Sequence, residues 1–221
     1  MEIVLKQLLV LYIFVIAGYL IGKFKKNKAS HSDILSILLI NIFLPSKVFN
    51  TFANNFTITY FSERYHLLIT SIILLLIIIV VAHFGSKLLT KNNYERKVYQ
   101  YSFTLTNYSY LGYVLIESIL GEIFLFQFVF FAIPFIIYTY TFGYSLLTGG
   151  KNIIKKLANP LTIAILLGML IGLLNISLPD VIYKAISSSS ACVGPLSMIL
   201  TGITLSSFEI KELLTDVKAY I

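Results

Sequence analysis

Charge is what this chain has least of. Only 12% of its 221 residues are Asp, Glu, Lys or Arg, while 57% are hydrophobic. A soluble domain carries roughly 25% charged residues, so an ordinary water-facing shell is excluded. A mean hydropathy of +0.86 points instead to lipid as the solvent. Cysteine is nearly absent: Cys192 stands alone, which excludes an internal disulfide and a thiolate metal cluster. Histidine is scarce too, and His31, His66 and His83 lack metal-ligand spacing, so neither metal nor cofactor is expected. No small-residue cleavage site follows the first apolar run. Met1 to Leu20 leads straight into Lys23, Lys25, Lys26 and Lys28, and reads as a first span rather than a cleaved signal. The net charge of +7 sits between apolar runs, a pattern that suits lipid headgroups and topology rather than nucleic acid.

Long apolar runs are what the chain does have. A helix needs about 20 residues to cross a hydrocarbon core of about 30 Å. Seven stretches qualify, at residues 3–22, 34–53, 67–86, 98–120, 123–147, 159–176 and 181–206. They are continuous, whereas barrel strands alternate over about 10 residues. The fold class expected is therefore an all-α integral membrane protein, a bundle of about seven transmembrane helices. Basic residues orient it. Lys23, Lys25, Lys26 and Lys28 follow span one, Lys87, Lys91, Arg96 and Lys97 follow span three, and Lys151, Lys155 and Lys156 follow span five. The loops after spans two, four and six offer only Arg64 and Lys184. The positive-inside rule then puts the N-terminus outside and the tail from Phe208 to Ile221 in the cytoplasm of a multi-pass cell-membrane protein.

One offset recurs. Gly18-Tyr19-Leu20-Ile21-Gly22 in span one and Gly168-Met169-Leu170-Ile171-Gly172 in span six lie 150 residues apart, as do Pro45 and Pro195. Glycines four apart also serve simply to pack helices closely, but a shared offset argues for a repeat. Five spans separate the copies, so the copies run in opposite directions across the membrane, the plan of many secondary transporters. The expected organisation is a first five-helix repeat at 1–148, a cytoplasmic loop at 149–158, and a partial second repeat at 159–221. On that five-plus-five plan three helices are lacking.

Span four holds the polar chemistry: Thr104, Thr106, Asn107, Tyr108, Ser109, Tyr110, Gly112 and Tyr113 crowd one stretch. An unsatisfied polar group in lipid costs several kcal/mol. Two readings stand. Asn107 and Gly112 mark an unwound helix whose freed N–H groups attract an anion, or the stretch is a hydrogen-bonding face between helices.

The run Asn107-Tyr108-Ser109-Tyr110-Leu111-Gly112-Tyr113-Val114 resembles the fourth-helix motif of the auxin efflux carrier (PIN-like) family, Asn-x-Gly-aromatic-x-Gly-x-Pro. Ile42-Phe43-Leu44-Pro45-Ser46-Lys47-Val48-Phe49 resembles its second-helix signature, Asn159-Pro160 with Gly168 its sixth helix, and Gly194-Pro195-Leu196-Ser197 with Gly202 its seventh. The resemblance covers about residues 1–207. It implies a ten-helix carrier of two inverted five-helix repeats, with broken fourth and ninth helices crossing at a site for organic anions such as auxin or small carboxylates. Asn107 is then the polar residue at the crossover and Gly112 gives backbone access. Ser109 stands where the family has glycine and Val114 where it has proline, and valine is compatible with a continuous helix.

Lys47 lies within span two and has three readings: attraction of an anion, pairing with Glu117, or snorkelling to the outer headgroups. The substrate residues expected are thus Asn107, Ser109, Gly112 and Lys47, with Pro45, Pro195, Gly18, Gly22, Gly168 and Gly172 as helix-break and packing positions. The aromatic run from Phe124 to Phe135 reads as a lipid-facing surface. An intramembrane enzyme needs converging His, Cys, Asp or Glu residues, which the spans lack. The functional expectation is a secondary carrier for small organic anions, with a transport-inactive remnant or accessory membrane protein as the alternative. The partners expected are membrane lipids, a small organic anion and a coupling ion such as a proton. No nucleic acid is expected, and a homodimer is compatible with the sequence.

Overall fold

The structure, a computed structural model, describes residues 2–24, 28–105, 108–148 and 157–208, and every element among them is helical. Span one is α1 (Glu2–Phe24). Span two joins α2 (Lys28–Leu38), a π-helical turn at Leu39–Phe43 and α3 (Leu44–Asn55). A short α4 (Ile58–Arg64) leads to α5 (His66–Leu89), which is span three. Span four is divided between α6 (Asn93–Thr104) and, after a π-helical turn at Tyr108–Gly112, α7 (Tyr113–Leu120). Span five joins α8 (Glu122–Tyr138), a third π-helical turn at Thr139–Gly143 and α9 (Tyr144–Thr148). Then come α10 (Pro160–Leu174), and α11 (Asp180–Ala191) with α12 (Val193–Leu205) as the last span.

Among the described residues seven uninterrupted spans are not found. Five stretches among the described residues are long and apolar enough to cross a membrane: Val4–Phe24, Ser32–Asn55, His66–Leu89, Glu122–Leu147 and Asp180–Leu205. Span four is broken. The sixth stretch is a 15-residue helix, about 22 Å at 1.5 Å per residue. Its ends are set locally. Asn159 accepts a hydrogen bond from the Thr162 N–H at 3.0 Å, and Pro160 follows at the first position. At the other end Asn175 takes a left-handed conformation (φ 49°), with Ile176 N–H bonded to Ile171 O and Asn175 N–H to Gly172 O, the pattern of a Schellman stop.

Both prolines of the shared offset disturb their helices just upstream. A proline lacks the N–H and its ring meets the carbonyl four residues back, here Asn41 and Ala191. In span two the helix widens over Leu39–Phe43, with the Leu44 N–H reaching Leu39 O. In the last span a turn at Cys192 separates α11 from α12.

The offset also holds in space. A Cβ added to Gly18 would lie 2.8 Å from the Ile199 carbonyl carbon, and one on Gly168 would lie 2.8 Å from Phe49 O. Gly22 faces Ile203 and Ser206, and Gly172 faces Ala53 and Phe56. Ile199, Ile203 and Ser206 each stand 150 positions beyond Phe49, Ala53 and Phe56. In each pair the contacted positions rise together, so α1 runs parallel to α12 and α3 parallel to α10. That matches the parity of spans one and seven and of spans two and six.

The core lies where α3, α7 and α8 meet. Phe52, Phe126 and Phe130 are fully buried, with Phe52 edge-on to Phe126 at 5.3 Å and Tyr60 5.5 Å from Phe130. This corrects the lipid-facing expectation for Phe124–Phe135. Phe124 is exposed, but Leu125, Phe126, Val129 and Phe130 form the inward stripe of α8, because three- and four-residue spacing puts them on one side of the helix.

Candidate functional site

The break in span four lies upstream of where the motif's proline would stand. Thr104 ends α6, and Leu105 is extended (φ −116°, ψ 99°). The chain is helical again from Tyr108. Val114 sits inside α7, 3% exposed and against Gly194, so valine continues its own helix while the interruption falls nine residues earlier. Thr106 and Asn107 lie outside the described residues.

A cavity of about 390 Å³ opens at this break. Leu105, Tyr108, Ser109, Tyr110 and Tyr101 line it from span four, Ile40 and Leu44 from span two, Thr139 and Tyr140 from span five, and Leu161 from α10. All three π-helical turns supply wall residues: Ile40, then Tyr108 to Tyr110, then Thr139 and Tyr140. Such turns are rare and often mark functional sites. Their cause in span five is partly visible: Thr139 Oγ1 donates to Phe135 O at 2.7 Å and Thr141 Oγ1 to Ile137 O at 2.6 Å. Hydroxyls that bond back onto the preceding turn bend helices.

The volume falls within the 300–1,000 Å³ typical of small-molecule sites. The wall combines apolar side chains with hydroxyls that can both donate and accept, and among the described residues no charged side chain lines it. Tyr113, beside it in α7, is fully buried, and among the described residues its hydroxyl has no hydrogen-bond partner. Its ring stands 6.3 Å from that of Tyr108.

Of the residues expected from the sequence, Ser109 lines this cavity. Gly112 lies just beyond it in helical conformation, where an added Cβ would stand 3.3 Å from the Phe128 ring. Lys47 lies elsewhere. It is one turn past Leu44, 4% exposed, and its ammonium is bound by the Glu117 carboxylate of α7. Snorkelling to the headgroups is thereby corrected, since burial and a carboxylate partner hold the side chain inside. The glycines Gly18, Gly22, Gly168 and Gly172 serve the two helix seams. Tyr101, Thr139 and Tyr140 were not singled out from the sequence, although Tyr138-Thr139-Tyr140-Thr141 repeats in span five the polar crowding that flagged span four. Among the described residues no group of His, Cys, Asp and Glu is placed to hold a metal ion.

No curated protein and no solved structure matches the chain. The family described as membrane transport protein does match, over residues 3–151, which contain the first five spans, the broken helix and most of the cavity wall. The chain belongs to the membrane transport protein family.

Proposed function

We propose that the protein is a secondary carrier for small organic anions of the auxin efflux carrier type, with its substrate held in the cavity at the break of span four. The observation that carries this reading is the break itself. It places the first turn of a new helix, Tyr108 to Tyr110, on a cavity wall. The first N–H groups of a helix have no partner inside it, and that end carries partial positive charge. Together with the hydroxyls of Ser109 and the wall tyrosines, they offer donors to a carboxylate without any lysine or arginine. Lys47, neutralised by Glu117, has a positioning role instead, holding α7 against α3.

Uptake by proteoliposomes tests this. Vesicles holding the parent chain are expected to accumulate labelled indoleacetate or a small dicarboxylate above empty vesicles, and Ser109→Ala to lower that uptake about tenfold, the value of one good hydrogen bond to a charged group. Absence of uptake for every anion offered would favour the inactive accessory reading. The proposed orientation, with the N-terminus outside and the basic loops in the cytoplasm of a cell-membrane protein, rests on the positive-inside rule. A reporter active only in the cytoplasm, inserted after Lys91, should be active; silence would reverse the topology.

A further inference from the structure

Between α5 and the second half of span five lies a second opening, an open crevice of about 930 Å³ separate from the cavity at the break. Leu75 and Ile79 line it from α5, Pro134 and Ile137 from span five, and Lys97 of α6 and Ser145 of α9 line it too. Its walls belong to two stretches long and apolar enough to span a membrane. Their polar atoms are already engaged there, with Ser145 Oγ donating to Thr141 O at 2.7 Å. We propose that this crevice binds one anionic phospholipid, an acyl chain lying along the aliphatic walls and the phosphate on the Lys97 ammonium.

Three observations carry the assignment. The first is depth. From Ser145 to Pro134 is eleven residues of helix, about 17 Å at 1.5 Å per residue. That is roughly half of a 30 Å hydrocarbon core, the depth that the acyl chain of one leaflet fills. The second is chemistry. An empty apolar groove at this depth forfeits the dispersion contacts of its lining, and hydrocarbon restores them. The third is charge. Lys97 is exposed and has neither an ion pair nor a hydrogen bond among the described residues. Lys87 at the end of α5, Lys91 in the connection and Arg96 in the first turn of α6 lie close to it in sequence, and the one carboxylate of this stretch, Glu95, is bonded to Thr90 and Asn92. A neutral lipid would fill the groove but leave one carboxylate against four basic side chains; an anionic headgroup adds the missing counter-charge.

The inference is independent of transport, because lipid retention is read without a transported solute. Native mass spectrometry of the full chain, after equilibration in nanodiscs of equal phosphatidylglycerol and phosphatidylcholine, should show phosphatidylglycerol retained about fivefold over phosphatidylcholine, the factor expected of one basic residue at the surface. Lys97→Gln should abolish that preference, Lys97→Arg should keep it, and Lys91→Gln on the same connection should leave it nearly unchanged. Ile79→Phe, which fills the crevice, should lower retention of both lipids. Equal retention of the two lipids by the parent would overturn the proposal, and so would a Lys97→Gln chain that behaves like the parent. Disulfide-linked dimers of Ile79→Cys in a Cys192→Ser background would place a second copy there instead, and would also overturn it.

Discussion

Two helix seams, α1 on α12 and α3 on α10, share one geometry and differ in chemistry. In the first, small residues face each other: Gly18 and Gly22 lie against a stretch that includes Gly202 and Ser206. In the second, Gly168 and Gly172 lie against Phe49, Phe52 and Phe56. At the offset of 150 the positions of Gly202 and Ser206 are those of Phe52 and Phe56. Those rings turn away from the seam into the core, where they meet Phe126 and Phe130. One seam is made only for close approach, while the other also carries the core that the broken helix rests on. Lys47 marks the same difference. Its counterpart at the 150 offset is Ser197, buried and bonded within its own helix to Gly194 O at 3.1 Å, whereas Lys47 reaches across to Glu117.

The largest effect should come from that cross-link. Glu117→Gln leaves the Lys47 ammonium, 4% exposed, without its counter-charge, and removing one partner of a buried pair costs about 3 kcal/mol or more. Lys47→Met leaves behind a carboxylate whose side chain is 37% exposed, so water can still reach it. Its loss should be nearer 1 kcal/mol, as for exposed pairs. The double variant should recover most of what Glu117→Gln loses. Denaturation midpoints of detergent-solubilised protein measure all three. Equal losses for the two single variants would show that Lys47 is as well solvated as Glu117.

Next in size is a contrast between offset mates. An added methyl on Gly172 would meet two backbone carbonyls, Phe56 O at 2.6 Å and Phe52 O at 2.8 Å. Backbone cannot step aside without moving α3, so Gly172→Ala should cost about 2–3 kcal/mol, the upper range for overpacking. On Gly22 the nearest group is the Ser206 side chain, its Cβ 2.9 Å away. Gly22→Ala should cost about 1 kcal/mol, and Ser206→Gly in the same chain should restore part of it. Loss of stability that is identical at both sites, with no recovery from Ser206→Gly, would mean the seams are chemically alike after all.

Most of this contrast lay within reach of the sequence, because glycines and prolines at one offset fix where helices approach and where they falter. The polar crowding of span four located the cavity, and Ser109 with it. Two things were hidden. The break reaches Leu105, a residue type with no turn preference, so nothing in its own chemistry marks it, while Val114 is compatible with the helix it continues. The burial of Lys47 was equally hidden, since a lysine three residues from a helix bend reads the same whether it snorkels or meets a carboxylate seventy positions away. Likewise, Tyr101, Thr139 and Tyr140 reach the cavity only through tertiary packing.

The smallest effect tests the contrast between seam and site. At the seam glycines an added methyl would meet neighbouring atoms at once, whereas beside the cavity the Tyr113 hydroxyl is buried and, among the described residues, has no hydrogen-bond partner. A buried group left in that state costs roughly 1–3 kcal/mol, so Tyr113→Phe, which keeps the ring between Tyr108 and Phe128, should leave stability unchanged or raise it by up to about 1 kcal/mol. A hydroxyl kept for a solute should show a second signature: uptake by proteoliposomes falls several-fold while the denaturation midpoint holds or rises. Uptake that rises with stability would instead identify the hydroxyl as a packing fault, and would confine the working surface of the cavity to the π-helical turns themselves.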